Sequence, residues 1–389
     1  MQIFSPFLLY LQIHSQRYMN ISKIIIAVFA VVLIVEGSAQ NINIRWMAES
    51  TQFVTRGTYA RIKKVNNQHA LVYESGGAVW IRLSHDGCNS WSEATEVARG
   101  EGYGYANSEL LQLQSGKLIF TWNARPKKGS GLPYKIMYAT SIDQGRSWSK
   151  GHDLYVAGTT PRSGCWEPIP LQLPTGELHI YFANEKPYTE SDEQEISLIR
   201  SFDEGKTWGD TERVSFRSKC RDGMPVPIYL PHSNEIVMAI EDNGIRGRFK
   251  PVIVRSAYNW HDSYVRGNDT RREEAVGGRW AIQDTVYAGA PYLIRLGENH
   301  TLLSVQSTEG RKGGAHHFAN MQVYVGNKDA RNFRNRTTPL PQLPSDGSAL
   351  WSSLAQIDDE TVIAVMSVRG LETGKNGVWT IKGKIIKRR

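Results

Sequence analysis

An eight-residue pattern, S-x-D-x-G-x-x-W, constrains this chain more than any other feature. It is met at Ser84–Trp91, Ser141–Trp148 and Ser201–Trp208, with the tryptophans 57 and then 60 residues apart. The second and third copies are complete, and the first carries Cys88 where the later glycine belongs. Self-similarity at a fixed period of this size marks an array of supersecondary units.

Ahead of each box stands a two-strand phrase, and the phrase recurs where the box does not. Six copies begin near Thr58, Ala106, Trp166, Gly223, Gly289 and Leu350. Turn signals such as Ser115-Gly116, Thr175-Gly176 and Ser233-Asn234 follow, and then apolar runs such as Leu118–Trp122, Leu178–Phe182 and Ile236–Ile240. Short runs separated by turn residues at regular intervals argue strands. No stretch holds a helical period over a useful length. The spacing therefore predicts an all-β fold, a six-bladed β-propeller with four antiparallel strands per blade, over residues 41–389 as a single domain. The last three blades lack the box, with Ser256–Trp260 and Gly326–Asp329 standing in its place. Residues 261–284, with Arg271-Arg-Glu-Glu274, read as a charged, solvated insertion. Asn43–Trp46 is expected to pair with Val378–Ile381 and close the ring, which removes exposed strand edges.

The box is a hairpin turn. Its Asp accepts backbone N–H groups, its Gly supplies a positive φ, and its Trp fills the space between blades. Its Asp is structural rather than catalytic. In an up-and-down blade the box joins the third strand to the fourth. The starts of first strands and the ends of second strands then meet on the opposite rim. That rim collects Arg56, Tyr59, Glu74, Asn107, Asn123, Arg125, Trp166, Glu167, Asn184, Glu185, Arg221, Asp222, Glu241, Asp242, Tyr287, Glu309, Trp351 and Arg369. Polar groups at such a centre are costly unless paired or used.

The N-terminus reads as an export signal. Lys23 precedes the apolar run Ile24–Val35, and small residues follow at Gly37-Ser38-Ala39. The run falls short of the ~20 residues a membrane span needs, so residues 1–40 are expected to be a signal peptide with its true start at Met19. The mature chain is then secreted or periplasmic, with no membrane span left after cleavage; an uncleaved anchor is the alternative. Formal charge is +8, much of it in the tail after Lys382. Nucleic-acid binding needs a basic face with a recognisable module, and the sequence offers neither. Three cysteines leave one thiol over if two pair, and Cys165 and Cys220, each just ahead of a corresponding strand, are the candidates for a bridge. No metal-ligand spacing and no cofactor motif is present. Asn268, Asn299 and Asn335 head glycosylation sequons.

With boxes on a six-bladed ring, the chain resembles the sialidase superfamily of propellers. Gly57–Arg61, Trp166-Glu167-Pro168, Arg221–Pro225 and the strand ending in Glu241 are most similar to the exo-α-1,5-L-arabinanases of glycoside hydrolase family 93. The resemblance implies a retaining glycoside hydrolase acting on an oligo- or polysaccharide, with Glu167 as acid/base and Glu241 as nucleophile. Arg56, Tyr59, Asn107, Trp166, Asn184, Arg221, Asp222, Tyr287 and Trp351 are the candidate substrate-binding residues. The chemistry agrees. Glycoside cleavage wants one protonated and one ionised carboxyl flanking the bond. Trp166 and Pro168 are placed to desolvate Glu167 and raise its pKa, while Arg221 is expected to keep Glu241 ionised. Asp222 and Glu185 stand next in line as carboxylates.

Two other readings stay open. An exo-sialidase grips its substrate carboxylate with three arginines, for which Arg56, Arg221 and Arg369 are available. Its first-strand arginine motif is only loosely echoed by Tyr59–Ile62, however, and its last-blade tyrosine is replaced at Leu350-Trp351. A non-catalytic glycan-binding propeller would use Trp166, Tyr287 and Trp351 for stacking alone.

Overall fold

The apolar runs that close each two-strand phrase become strands buried on both faces; Leu178–Asn184 is buried along its whole length. Such strands must be covered on each side, and a ring of radially stacked sheets does this with one repeated unit. The computed structural model describes residues 42–387, and the signal-peptide reading over residues 1–40 lies outside the described residues. Residues Asn43–Ile386 form one compact unit. Its only helical elements among the described residues are five three-residue 3₁₀ turns, and none is long and apolar enough to cross a membrane.

Six antiparallel sheets make the blades. Blade 1 consists of Thr58–Val65, Gln68–Ser75, Ala78–Ser84 and Thr95–Arg99; blade 2 of Tyr103–Gln112, Leu118–Pro126, Lys135–Ser141 and His152–Val156. Blade 3 holds Cys165–Gln172, Leu178–Asn184, Glu195–Ser201 and Glu212–Phe216; blade 4 holds Asp222–Leu230, Glu235–Asp242, Lys250–Ser256 and Arg272–Glu274. Blade 5 is Ala288–Leu296, His300–Ser307, Asn320–Asn327 and Arg334–Thr337. Blade 6 is Ser348–Gln356, Thr361–Arg369 and Gly377–Lys387, completed by Ile42–Trp46 from the other end of the chain. The core sits in the seams. Val65, Val79 and Ile81 of blade 1 pack with Phe120 and Trp122 of blade 2, and Ile119 and Ile136 of blade 2 pack with Ile180 and Phe182 of blade 3.

Ring closure differs in register from the expectation. Gln52–Thr55 takes the edge at Val378–Thr380, where Asn43–Trp46 was expected, and Ile42–Trp46 pairs with the same long final strand. The final strand runs 11 residues, long enough to take both segments. Residues 261–284 are solvated in part, as expected, but also contribute strands. Val265–Arg266 adds a parallel fifth strand to blade 3, and Arg272–Glu274 is the outer strand of blade 4. Arg272 itself is buried.

The boxes lie between third and fourth strands as expected. Asp86 Oδ1 accepts the N–H groups of Asn89 and Ser90, each at 3.0 Å, and Asp203 Oδ1 accepts those of Lys206 and Thr207 at 3.0 and 2.9 Å. Hydroxyls of Ser90, Ser147 and Thr207, with these N–H groups, hold the three aspartates well below the usual carboxylate range. Trp148 meets Phe120 edge-on and Trp208 meets Tyr138 in the same way. Cys88 adopts φ 65° at the glycine's position. Blades 4 and 5 have kept the turn while losing the pattern. Trp260 N–H donates to Ser256 Oγ at 2.9 Å, as Gly145 N–H does to Ser141 Oγ, and Arg331 N–H donates to Asn327 Oδ1 at 2.9 Å.

Cys165 and Cys220 are not bridged, and Cys88 is free as well. Cys165 is wholly buried at the start of the first strand of blade 3, while Cys220 sits half-buried in the loop before blade 4.

Candidate active site

Every first strand breaks its pairing at the same place. A register shift falls after its opening residues in all six blades. At each shift one non-glycine residue is left-handed: Tyr59, Asn107, Glu167, Met224, Ala290 and Trp351, with φ of 52°, 52°, 51°, 51°, 45° and 47°. A β-bulge of this kind leaves one backbone group unpaired and re-aims a side chain. In blades 3, 4 and 5 the next residue is Pro168, Pro225 or Pro291, which has no N–H to leave unpaired. Left-handed non-glycine residues cost of order 1–3 kcal/mol each and are held only where the surroundings over-determine them.

What over-determines them is a stitch between neighbouring blades. Glu74 Oε2 accepts the Asn107 N–H at 2.6 Å, Glu241 Oε2 accepts the Ala290 N–H at 2.7 Å, and Gln306 Oε1 accepts the Trp351 N–H at 2.9 Å. Ser367 Oγ does the same for Tyr59 at 2.9 Å. In blade 3 the corresponding residue is Ala183, opposite Trp166, and has no acceptor to offer. There the Met224 N–H acts on the carboxylate of Glu167 instead.

Glu167 and Glu241 line one cavity of about 420 Å³, with Trp166, Glu185, Gln194, Arg221 and Phe249 around them. Both glutamates are half-buried. Burial pushes Glu167 up to about 7, the negative charge of Glu241 adds to this, and Arg125 and the Met224 N–H oppose it. Burial also pushes Glu241 up to about 7, against the Ala290 N–H and Arg221. The rise at Glu167 matches the expectation. At Glu241 Arg221 acts in the expected direction but burial outweighs it, and its guanidinium is shared: it pairs with Glu185 and also donates to the Asp192 carbonyl at 3.0 Å. Glu185 is further held by Trp166 Nε1 at 3.0 Å and Gln194 Nε2 at 3.2 Å, so it anchors the pocket wall.

Two glycines make room for Glu241. A Cβ on Gly289 would lie 2.4 Å from Glu241 Oε2 and 2.5 Å from the Tyr287 hydroxyl, and one on Gly223 would lie 3.2 Å from Glu241 Oε1. Tyr287 thus stands beside Glu241, with its hydroxyl accepting from Gln306 Nε2 at 2.7 Å.

The other expected residues disperse. Tyr59 is buried and packs with Met224 and Ala290 as a plug on the ring axis, with the Arg61 guanidinium 3.8 Å from its ring centroid. Asn107 is buried and tied to Arg125. Asn184 turns into the seam between blades 2 and 3, bonding Ser197 Oγ of its own blade at 3.1 Å and Tyr155 of blade 2 at 3.0 Å. Asp222 is fully buried between blades, held by Arg272 and Ser215. Neither Asn184 nor Asp222 reaches the pocket. Arg56 is exposed; Trp351 and Arg369 line a second cavity of about 450 Å³ with His317 and Asn376. The three arginines considered for an anion site therefore do not share a pocket. Sequence reasoning gave no substrate role to Arg125, whose guanidinium lies 5.2 Å from the Trp166 ring, and passed over Gln194 and Phe249. The first ends a second strand and was on the rim; the other two sit in loops, where no periodicity marks them.

Solved structures share this architecture. The GH93 α-L-arabinofuranosidase of Fusarium graminearum, in complex with arabinobiose, superposes with a TM-score of 0.63 at 16% identity, covering 90% of this chain and 98% of that one. The Penicillium chrysogenum α-L-arabinanase, also with arabinobiose, gives 0.58 at 16% identity over 90% and 97%. The NanB sialidase of Streptococcus pneumoniae gives 0.56 at 10% identity over 86% and 69%. The likeness establishes the fold. No protein-family model and no curated protein matches the chain.

Proposed function

We propose that the protein is an exported, exo-acting, retaining glycoside hydrolase that cleaves α-L-arabinan, with Glu167 as acid/base and Glu241 as nucleophile. The observation that carries this reading is the pair itself. Two half-buried glutamates from adjacent blades share one sugar-sized cavity, and both are held near 7. Two carboxyls that both titrate near neutrality populate the state with one protonated and one ionised, which glycoside cleavage requires.

Which one keeps the proton follows from their partners. Each carboxyl has a backbone N–H and an arginine that favour its anion, Ala290 and Arg221 at Glu241, Met224 and Arg125 at Glu167; the difference is that Glu167 is also raised by the charge of Glu241. Glu241 therefore ionises first and attacks the anomeric carbon. Glu167 gives its proton to the departing glycosidic oxygen. In the second half it takes a proton from the water that releases the glycosyl group from Glu241, so the configuration is retained. Trp166, pinned through its indole N–H to Glu185, offers a fixed face for the sugar.

Product analysis after incubation with debranched arabinan tests the reading, with Glu167→Gln and Glu241→Gln alongside. Release of a short arabinose product by the parent and not by either variant is expected. Turnover of a sialoside instead would move the protein to the sialidase reading. Unchanged turnover in both variants on every substrate cleaved would remove the pair from the mechanism.

A further inference from the structure

The segment 261–284, which the chain inserts after the third strand of blade 4, builds more than an edge strand. Its continuation, the 3₁₀ turn Gly278–Trp280, faces the third-to-fourth turn of blade 5 across a groove of about 700 Å³. Glu273 and Glu274 of blade 4, and Asn332 and Arg334 of blade 5, complete its walls. The groove lies at the outer strand of blade 4, away from the mouth where Glu167 and Glu241 meet.

Its chemistry is specific. Trp280 carries the Arg279 guanidinium 5.2 Å from its ring centroid. The floor beside it is bare: a Cβ on Gly277 or Gly278 would meet nothing within 4 Å. Glu273 is fixed by Arg255 at 2.6 Å and Arg331 at 3.4 Å, and Glu274 by Arg246 at 3.1 Å. Arg334 and Asn332 are exposed, and Arg334 makes no ion pair among the described residues. An aromatic face offers a surface for the C–H side of a sugar ring, and planar carboxylate, amide and guanidinium groups match pairs of neighbouring hydroxyls. The volume falls within the usual span of ligand sites.

We propose that this groove is a second saccharide-binding site, which holds a polysaccharide chain on the outer wall while an end of it is worked on in the glutamate pocket. It rests on the glycoside hydrolase reading above. The ligand is a chain of neutral sugars or of uronates, since the groove offers both carboxylates and unpaired guanidinium groups.

Affinity electrophoresis of the full chain, through gels holding debranched arabinan or polygalacturonate, decides it. The Glu167→Gln background is used throughout, and Trp280→Ala and Arg334→Ala are compared with it once melting temperatures show that all three are folded. Retardation of the parent that is about tenfold weaker in either variant is expected, the loss of one stacking or hydrogen-bonding partner being worth about that much. Retardation by arabinan alone marks a neutral chain, and by polygalacturonate alone a uronate chain. No retardation of the parent in either gel, or equal retardation in all three proteins, overturns the proposal. Binding is read here without hydrolysis. Activity surviving in Glu167→Gln would therefore sink the catalytic assignment and leave the gel result to stand by itself.

Discussion

The carboxylate of Glu241 accepts the backbone N–H of Ala290 from the next blade at 2.7 Å, the same stitch that Glu74 makes to Asn107 at 2.6 Å. Glu241 is thus a structural residue and a pocket residue at once, and the two roles separate by substitution. Gln306 makes the stitch with an amide oxygen, so Glu241→Gln keeps it. That variant is expected to melt no lower than the parent while losing about 10³-fold or more in kcat, the scale of a missing catalytic group. Glu241→Ala leaves the Ala290 N–H without its acceptor and is expected to lose about 1–3 kcal/mol of stability as well. Glu74→Gln keeps its stitch and lies outside the pocket, and should change neither. A large activity loss in Glu74→Gln would show that the assay reads ring integrity rather than chemistry.

The pair of carboxyls has a pH signature. With both carboxyls held near 7, kcat/KM is expected to be bell-shaped around neutrality. The acid limb rises as the pair loses its first proton and the alkaline limb falls as it loses the second. In Glu241→Gln the neighbouring charge is gone, so Glu167 titrates lower, as a carboxyl NMR titration would read. Stability moves in the opposite sense from ordinary carboxylates. A folded pKa above the unfolded value near 4.5 means that the native state holds more protons. The contribution is full below about 4.5 and is lost as pH rises to about 7. The melting temperature should therefore drop across that window in the parent and less in Glu241→Gln.

Gly289 and Gly223 give a graded test of how tightly Glu241 is placed. A methyl on Gly289 would sit 2.4 Å from Glu241 Oε2 and 2.5 Å from the Tyr287 hydroxyl, and one on Gly223 3.2 Å from Glu241 Oε1. Neither glycine has a positive φ that alanine would strain. Gly289→Ala must push the carboxylate aside, and is expected to cost about 10²-fold in kcat through misplacement. Gly223→Ala needs only tenths of an ångström and should cost less. Equal activity in the two would mean that the position of Glu241 does not matter to turnover.

The order of blades was legible in the chain because each repeat carries its own turn and its own doubly buried strand. The glutamates were legible for the same reason: W-E-P and the end of Ile236–Ile240 fall at fixed places in the repeat. Two of the misassignments lie one position from a residue that does line the pocket. Asn184 was expected in the pocket and its neighbour Glu185 is there; Arg221 and Asp222 were both expected and only Arg221 is there. Successive strand residues face opposite ways, so an error of one position exchanges the pocket for the seam. The bulge at each first-strand start adds a local reversal that no hydrophobic period records. The role of Arg272 was invisible, because its partners lie 50 and 30 residues away.

That arginine gives the sharpest stability test. Arg272 Nη1 reaches Asp222 Oδ1 at 2.9 Å and Asp242 Oδ2 at 2.6 Å, and Nη2 reaches Ser215 Oγ at 2.6 Å, with all four side chains buried. It joins the outer strand of blade 4 to the first and second strands of that blade and to blade 3. Arg272→Ala leaves buried Asp222 without a cation, Asp242 keeping only Arg217 at 2.9 Å, and is expected to lose about 3–5 kcal/mol. Asp222→Asn removes one of the two charges and keeps one of the two oxygens that accept from the Arg272 guanidinium, so a smaller loss is expected. Neither change touches the pocket. At temperatures where the variants remain folded, KM and the pH profile should match the parent, and chemical denaturation should give a lower midpoint. A shifted pH profile in Asp222→Asn would return that carboxylate to the active site.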